Sequence, residues 1–200
     1  MKNIAVFCSG YGSNLQAIIN FIKKKKIKAR IALVLSDRVD AYALVRARKE
    51  KIPVLYADPA DFKDRVSYDR FLISNLKKKK IDYVVLAGFM RLVSPYFIRC
   101  FRGRVLNIHP SLLPSFKGTQ GIKDALSYGV KITGVTVHFV DEKLDHGPII
   151  AQSALEIKAT DTQATLAERI HRLEHKLYPQ AVRLLIENKL KIQGRKVKQK

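Results

Sequence analysis

The segment RVLNIHPSLLPSFKG holds the residues best equipped for chemistry. Successive side chains of a strand alternate faces, so Asn107 and His109 point one way and Ile108 the other. An amide that can donate to a carbonyl oxygen becoming an oxyanion then shares a surface with an imidazole that can move a proton near neutral pH. Pro110 and Pro114 end the strand and stiffen its exit. That puts the pair at the carboxyl end of a strand, where open α/β sheets bind ligands. The plain alternative is a hydrogen-bonded structural histidine. An imidazole with a chemical role needs a carboxylate to orient it or favour its charged form. The segment HFVDEKLDHGPII offers Asp141, Glu142 and Asp145, and sequence distance does not choose among them. Asp145 before His146-Gly147-Pro148 also reads as an Asx-type turn.

A second cluster is FCSGYGSNLQAII, with Gly10, Gly12, Ser13 and Asn14 between a strand and a helix. The glycines permit positive φ and close backbone approach, and the helix start offers free N–H groups, so the loop can cradle a phosphate. An ordinary glycine turn with a Ser or Asn N-cap is the competing reading. Leu15 breaks G-x-G-x-x-G and no GK[ST] follows, which disfavours NAD and ATP. His171, Glu174 and His175 spell H-x-x-E-H, a zinc-protease pattern, but so near the C-terminus that little chain is left for a third ligand. No metal is expected.

Short apolar runs alternating with amphipathic ones predict an α/β fold with a mostly parallel sheet, a Rossmann-like N-terminal half and a long C-terminal helix. Strands are expected at 4–9, 31–36, 54–57, 83–88, 105–109, 134–140 and 149–157. Leu15, Ile18, Ile19 and Ile22 form the stripe of a helix lying on a sheet. A last helix should begin near Asp161 or Thr162, present Leu166, Ile170, Leu173 and Leu177 on one face, and kink or end at Pro179. No repeat or linker divides the 200 residues, so one domain is expected over 1–200, with the glycine loop in the half over 1–100 and the Asn107–His109 pair in the half over 101–200.

The chain is 47% hydrophobic and 28% charged, which excludes a disordered tail protein. The longest apolar run, Tyr83–Met90, is far short of the roughly 20 residues of a membrane helix. The apolar stretch after Lys2 is too short for a secretory signal, so the expected place is the cytoplasm. Two cysteines, Cys8 and Cys100, are too few for a disulfide framework. The 38 Lys+Arg against 17 Asp+Glu give +21, a charge that attracts polyanions or phosphorylated small molecules. The lysine runs fall where helices should end, before Ile27 and Ile81, and no aromatic residues interleave them. A solvated basic surface is therefore preferred over a nucleic-acid footprint.

The segments GYGSNLQAI, VVLAGFMRLVSPYFI, VLNIHPSLLPSFKG, GVKITGVTVHFVDEKLDHGPIIAQ and the closing E-H-x-x-Y-P resemble, in order, the folate-dependent phosphoribosylglycinamide formyltransferases of the formyltransferase superfamily. The resemblance implies formyl transfer from 10-formyltetrahydrofolate, a co-substrate, to the amine of glycinamide ribonucleotide in purine biosynthesis, with no metal and no ATP. It implies a catalytic trio of Asn107, His109 and Asp145. It implies that Gly12, Ser13 and Asn14 hold the substrate phosphate and that Glu174 contacts the same substrate. Met90, Arg91, Leu92 and Val93 are implied to hold the pterin, with Asp141, Glu142, Lys143, Leu144 and Asp145 closing over it and Arg65 near the folate. Two positions depart from the family pattern: His146 replaces a small residue, and Gln120 stands where many relatives carry His. Methionyl-tRNA formyltransferase and formyltetrahydrofolate hydrolase share the chemistry but carry an extra domain. A basic RNA-binding α/β module is the competing reading from another class.

Overall fold

The computed structural model describes residues 1–25 and 27–200. The fold is α/β, with a mostly parallel sheet flanked by helices, and the chain forms two compact units, Met1–Leu106 and Asn107–Lys200.

The first unit alternates β1 (Lys2–Phe7), α1 (Ser13–Lys25), β2 (Ala29–Ser36), α2 (Tyr42–Lys49), β3 (Val54–Tyr56), α3 (Arg65–Lys78), β4 (Tyr83–Leu86) and α4 (Pro95–Cys100). Its strands lie in the Rossmann-like order β3-β2-β1-β4, and β1 pairs parallel with both β2 and β4, as β2 does with β3. Ile4, Ala5, Val6 and Phe7 of β1 are fully buried, as a central parallel strand covered on both faces requires. Leu15, Ile18 and Ile19 supply the buried face of α1. Lys23, Lys24 and Lys25 close α1, and Lys77 and Lys78 close α3, where cations complement the helix dipole.

β5 (Val105–His109) runs across the boundary between the units. The second unit continues with α5 (Gly121–Tyr128), β6 (Ile132–Phe139), β7 (Ile149–Glu156), α6 (Gln163–Ile186), β8 (Leu190–Gln193) and β9 (Lys196–Gln199). β6 and β7 pair antiparallel, because the short connection between them cannot make the crossover a parallel pair needs. That connection, 140–148, is thereby held at the carboxyl end of β6.

Two details of α6 differ from the sequence expectation. The helix does not end at Pro179 but continues to Ile186, with Tyr178, Pro179, Ala181 and Val182 buried. Packing of α6 on β6 and β7 sustains it past the missing proline N–H. Its buried row is Leu166, Ile170, Glu174 and Tyr178, while Leu173 and Leu177 are half-buried beside it. Thr162 caps α6 by accepting from the Thr165 N–H. β8 and β9, an antiparallel hairpin over the basic C-terminal run, were not among the strands expected.

Candidate functional site

In the first unit the glycine loop leaves β1 and enters α1. Gly12 has φ 73°, and a Cβ there would stand 2.7 Å from the Ala43 Cβ, so the close packing of α2 on this loop requires glycine. The loop is held from α2: the Ala43 N–H donates to Gly10 O at 3.1 Å, and Arg46 Nε donates to Tyr11 O at 2.9 Å. The Arg46 guanidinium also lies 4.4 Å from the centre of the Tyr11 ring, which stacks on Tyr42. Ser13 opens α1 and Asn14 is buried in its first turn. Gly12, Ser13 and Asn14 are thus gathered at a helix start whose first N–H groups have no intrahelical acceptor.

The segment following β4 is fastened to the same strand ends. The Met90 N–H donates to Ser9 Oγ at 2.8 Å, Ser9 Oγ donates to Asp37 Oδ1 at 2.6 Å, and Arg91 Nε donates to Asp37 Oδ2 at 2.8 Å. At its far end the Ser94 N–H donates to Asp69 Oδ2 at 2.5 Å, and Ser94 Oγ caps α4. Burial pushes the Asp69 carboxyl above its ordinary value, partly offset by those Ser94 bonds. Met90, Arg91, Leu92 and Val93 line a cavity of about 390 Å³ together with Arg65, Asp69 and Phe62. Met90 and Leu92 are 64% and 57% exposed, leaving apolar surface open beside the cavity.

In the second unit Asn107, His109 and Asp145 come together. Asp145 Oδ2 is 3.4 Å from His109 Nδ1, both side chains being at least nine-tenths buried. His109 Nε2 lies 2.8 Å from Phe116 O and donates to it. Asp145 sits at φ 44°, a backbone region costing about 1–3 kcal/mol for a residue with a side chain. The Gly118 N–H holds its Oδ2 at 2.8 Å. The Asx turn belongs instead to Asp141, which accepts from the Lys143 N–H at 3.0 Å. Gly147 is obligatory behind Asp145, since a Cβ there would fall 1.8 Å from Phe139 O.

His138 joins this cluster although its sequence context did not single it out. Its Nδ1 donates to Phe139 O at 2.8 Å, and burial holds its pKa below the ordinary histidine value, so the ring is neutral at pH 7 with Nε2 as acceptor. Nε2 accepts from Asn107 Nδ2 at 3.3 Å and thereby orients that amide. Thr136 lies two residues before it on the same strand face, the period-2 signal that could have flagged both. Thr136 Oγ1 donates to Ser111 O and accepts from the Leu113 N–H, fixing the turn after β5.

Glu142, Lys143 and Leu144 lie in the Asp141–Asp145 loop, and Leu144 is exposed. His146 Nδ1 meets Asp141 Oδ2 at 2.7 Å, and Arg195 of the β8–β9 turn donates to His146 O at 2.8 Å. Glu174 is buried on α6, whereas His171 is exposed, so the H-x-x-E-H residues do not share one environment. Cys8 is buried in the core next to β1, which pushes its thiol up to about 12 and leaves it inert.

A family model described as formyl transferase matches residues 2–182. The phosphoribosylglycinamide formyltransferase of Bacillus subtilis (strain 168) is 41% identical over 186 residues, covering 93% of this chain and 95% of that protein. The trifunctional purine biosynthetic protein adenosine-3 of Homo sapiens is 44% identical over 182 residues, covering 91% of this chain but only 18% of that larger protein. Among solved structures, glycinamide ribonucleotide transformylase 1 from Symbiobacterium toebii matches with a TM-score of 0.97 at 46% identity, covering 100% of this chain and 94% of that one.

Proposed function

We infer the reaction from one premise: the chain belongs to the formyl transferase family. It transfers the formyl group of 10-formyltetrahydrofolate to the amine of 5-phosphoribosylglycinamide, giving N-formylglycinamide ribonucleotide and tetrahydrofolate in de novo purine biosynthesis. A new C–N bond to the glycinamide nitrogen forms, the bond from the formyl carbon to N10 breaks, and the amine's proton passes to the departing nitrogen. The folate supplies an electrophilic formyl carbon; the protein supplies position, charge and proton management.

The observation that carries this reading is the meeting of Asn107, His109 and Asp145, three residues from two separate segments, in one buried polar cluster. Asn107 commits one amide proton to His138 and keeps the other for an oxygen that gains charge. His109 Nε2–H is spent on Phe116 O, and donation to a substrate oxygen exchanges that acceptor for a more basic one. Asp145, 3.4 Å from Nδ1, orients the ring and serves the proton's passage. Each oxyanion donor contributes on the order of 100 to 1,000-fold.

Gly12, Ser13 and Asn14 take the substrate phosphate at the start of α1, and Glu174 contacts the same substrate. Backbone groups of Met90, Arg91, Leu92 and Val93 hold the pterin, Arg65 serves the folate, and Asp141, Glu142, Lys143, Leu144 and Asp145 are folate-binding residues as well. In this reading residues 1–100 bind phosphate and 101–200 perform catalysis within one formyltransferase domain, although Arg65 and Met90–Val93 belong to the first unit. The enzyme works in the cytoplasm. Among the described residues no helix is long and apolar enough to cross a membrane.

A spectrophotometric assay of tetrahydrofolate release, run with and without glycinamide ribonucleotide, tests the reading. Release that requires the nucleotide is expected. Release indifferent to it would mean a hydrolase, and no release together with retention of mixed RNA on a filter would mean a basic binding module.

A further inference from the structure

The side chain of Asp37, only 5% exposed, joins two loops to which the proposed reaction gives separate substrates. Ser9 is the last residue before the glycine loop. Its hydroxyl is shared, donating to Asp37 Oδ1 at 2.6 Å while accepting the Met90 N–H at 2.8 Å. The other carboxylate oxygen of Asp37 takes Arg91 Nε at 2.8 Å. Backbone bonds run beside this chain of side chains, from the Ser9 N–H to Gly88 O at 2.9 Å and from the Cys8 N–H to Leu35 O at 2.9 Å. One buried carboxylate at the end of β2 therefore fixes the last turn of chain before Gly10 and the first two residues of the Met90–Val93 segment.

We propose that Asp37, through the Ser9 hydroxyl, is a positioning residue that makes nucleotide and folate binding mutually reinforcing. The proposal rests on the assignment of the glycine loop to phosphate and of Met90–Val93 to the folate. A phosphate that orders Gly10–Asn14 immobilises Ser9, and an immobile Ser9 holds the Met90 N–H and, through Asp37, the Arg91 side chain. The ligand arriving second then meets a loop whose ordering cost is already met. Because coupling between sites is reciprocal, each ligand must tighten the other by the same factor. Asp37 and Ser9 touch neither substrate in this scheme.

The test uses the full chain and a non-reactive pair of ligands: glycinamide ribonucleotide and a 5-deazafolate lacking the formyl group, titrated calorimetrically. The ratio of folate-analogue dissociation constants without and with saturating nucleotide is expected to exceed about 5 in the native protein, the lower end of ordinary coupling. Asp37→Asn and Ser9→Ala are expected to bring the ratio close to one, while each ligand alone still binds within a few-fold of native affinity. Ser9→Ala leaves the Asp37–Arg91 pair in place, so it carries the test should Asp37→Asn fail to fold. A native ratio of one overturns the proposal, as do variants that keep the native ratio or that lose both single affinities in parallel while it persists. Failure of the underlying assignment looks different: the native protein then binds neither ligand.

Discussion

Two cavities of the first unit invite comparison, and the larger is the less instructive. That cavity, about 620 Å³, lies where β2 begins and where Ile52 and Pro53 lead into β3, and its rim holds Lys23, Arg30, Lys51, Lys78, Lys79 and Lys80 against Glu50. The smaller, about 390 Å³, lies beside Met90–Val93 after β4. At the larger one three of the cations have local explanations. Lys23 and Lys78 stand in the last turns of α1 and α3, Lys23 pairs with Glu50, and Arg30 donates to the Asn3 side chain at 2.9 Å. At the smaller one buried polar groups, Asp37, Ser9, Asp69 and Ser94, hold the backbone of a loop in place. Buried polar groups are costly unless they are bonded, so a cavity whose lining loop they hold from behind reports positioning, and volume does not.

Four variants probe that contrast between a built polar site and a charged rim. Asp145→Asn should have the largest effect, lowering kcat on the order of 100 to 10,000-fold with little change in folate-analogue affinity, as read by steady-state kinetics and titration. Asn107→Ala removes the oxyanion donor proposed above and should cost on the order of 100 to 1,000-fold in kcat, with the nucleotide KM nearly unchanged.

His138 should show itself through pH. Burial holds its folded pKa below the 6.5 expected of the unfolded chain, so between the two values the unfolded state binds the extra proton. Its contribution to stability is thus present above 6.5 and is lost as the pH falls below it. Urea denaturation at pH 7.5 and at pH 5.5 should show native protein losing more stability than His138→Gln; parallel losses would remove His138 from that role. The smallest effect belongs to the rim. Joint replacement of Lys78, Lys79 and Lys80 by Glu should leave kcat/KM within about twofold while weakening the end of α3 by about 0.3–1 kcal/mol per charge near the terminus. A large loss of activity there would make the two cavities equal partners.

The elements were legible in proportion to how local their causes are. Val105–His109 matches its strand to the residue, and β1, β2, β4, β6 and β7 fall within about two residues of expectation, since apolar runs bounded by glycine, proline and charge mark strands directly. The β8–β9 hairpin escaped because its alternation, Ile192 and Val197 among lysines around Gly194, is masked by its net charge. The buried row of α6 passes through Glu174 and Tyr178 rather than Leu173 and Leu177, a turn of the helix that only its partners β6 and β7 decide. In the site, period two alone paired Asn107 with His109. The choice of Asp145 over Asp141 and Glu142 came from the family resemblance; in the structure it depends on a left-handed backbone and on the Gly118 N–H, neither of which is visible in spacing. The Ser9–Asp37–Arg91 chain joins residues from three strand ends and leaves no local mark at all.

The most direct measurement follows the group being moved. With the formyl carbon of the folate labelled with ¹³C, NMR of the reaction mixture should show the label arriving as an amide formyl on glycinamide ribonucleotide, at a rate that collapses in Asp145→Asn. Label appearing as free formate, or reaching the nucleotide equally fast without Asp145, would contradict the account.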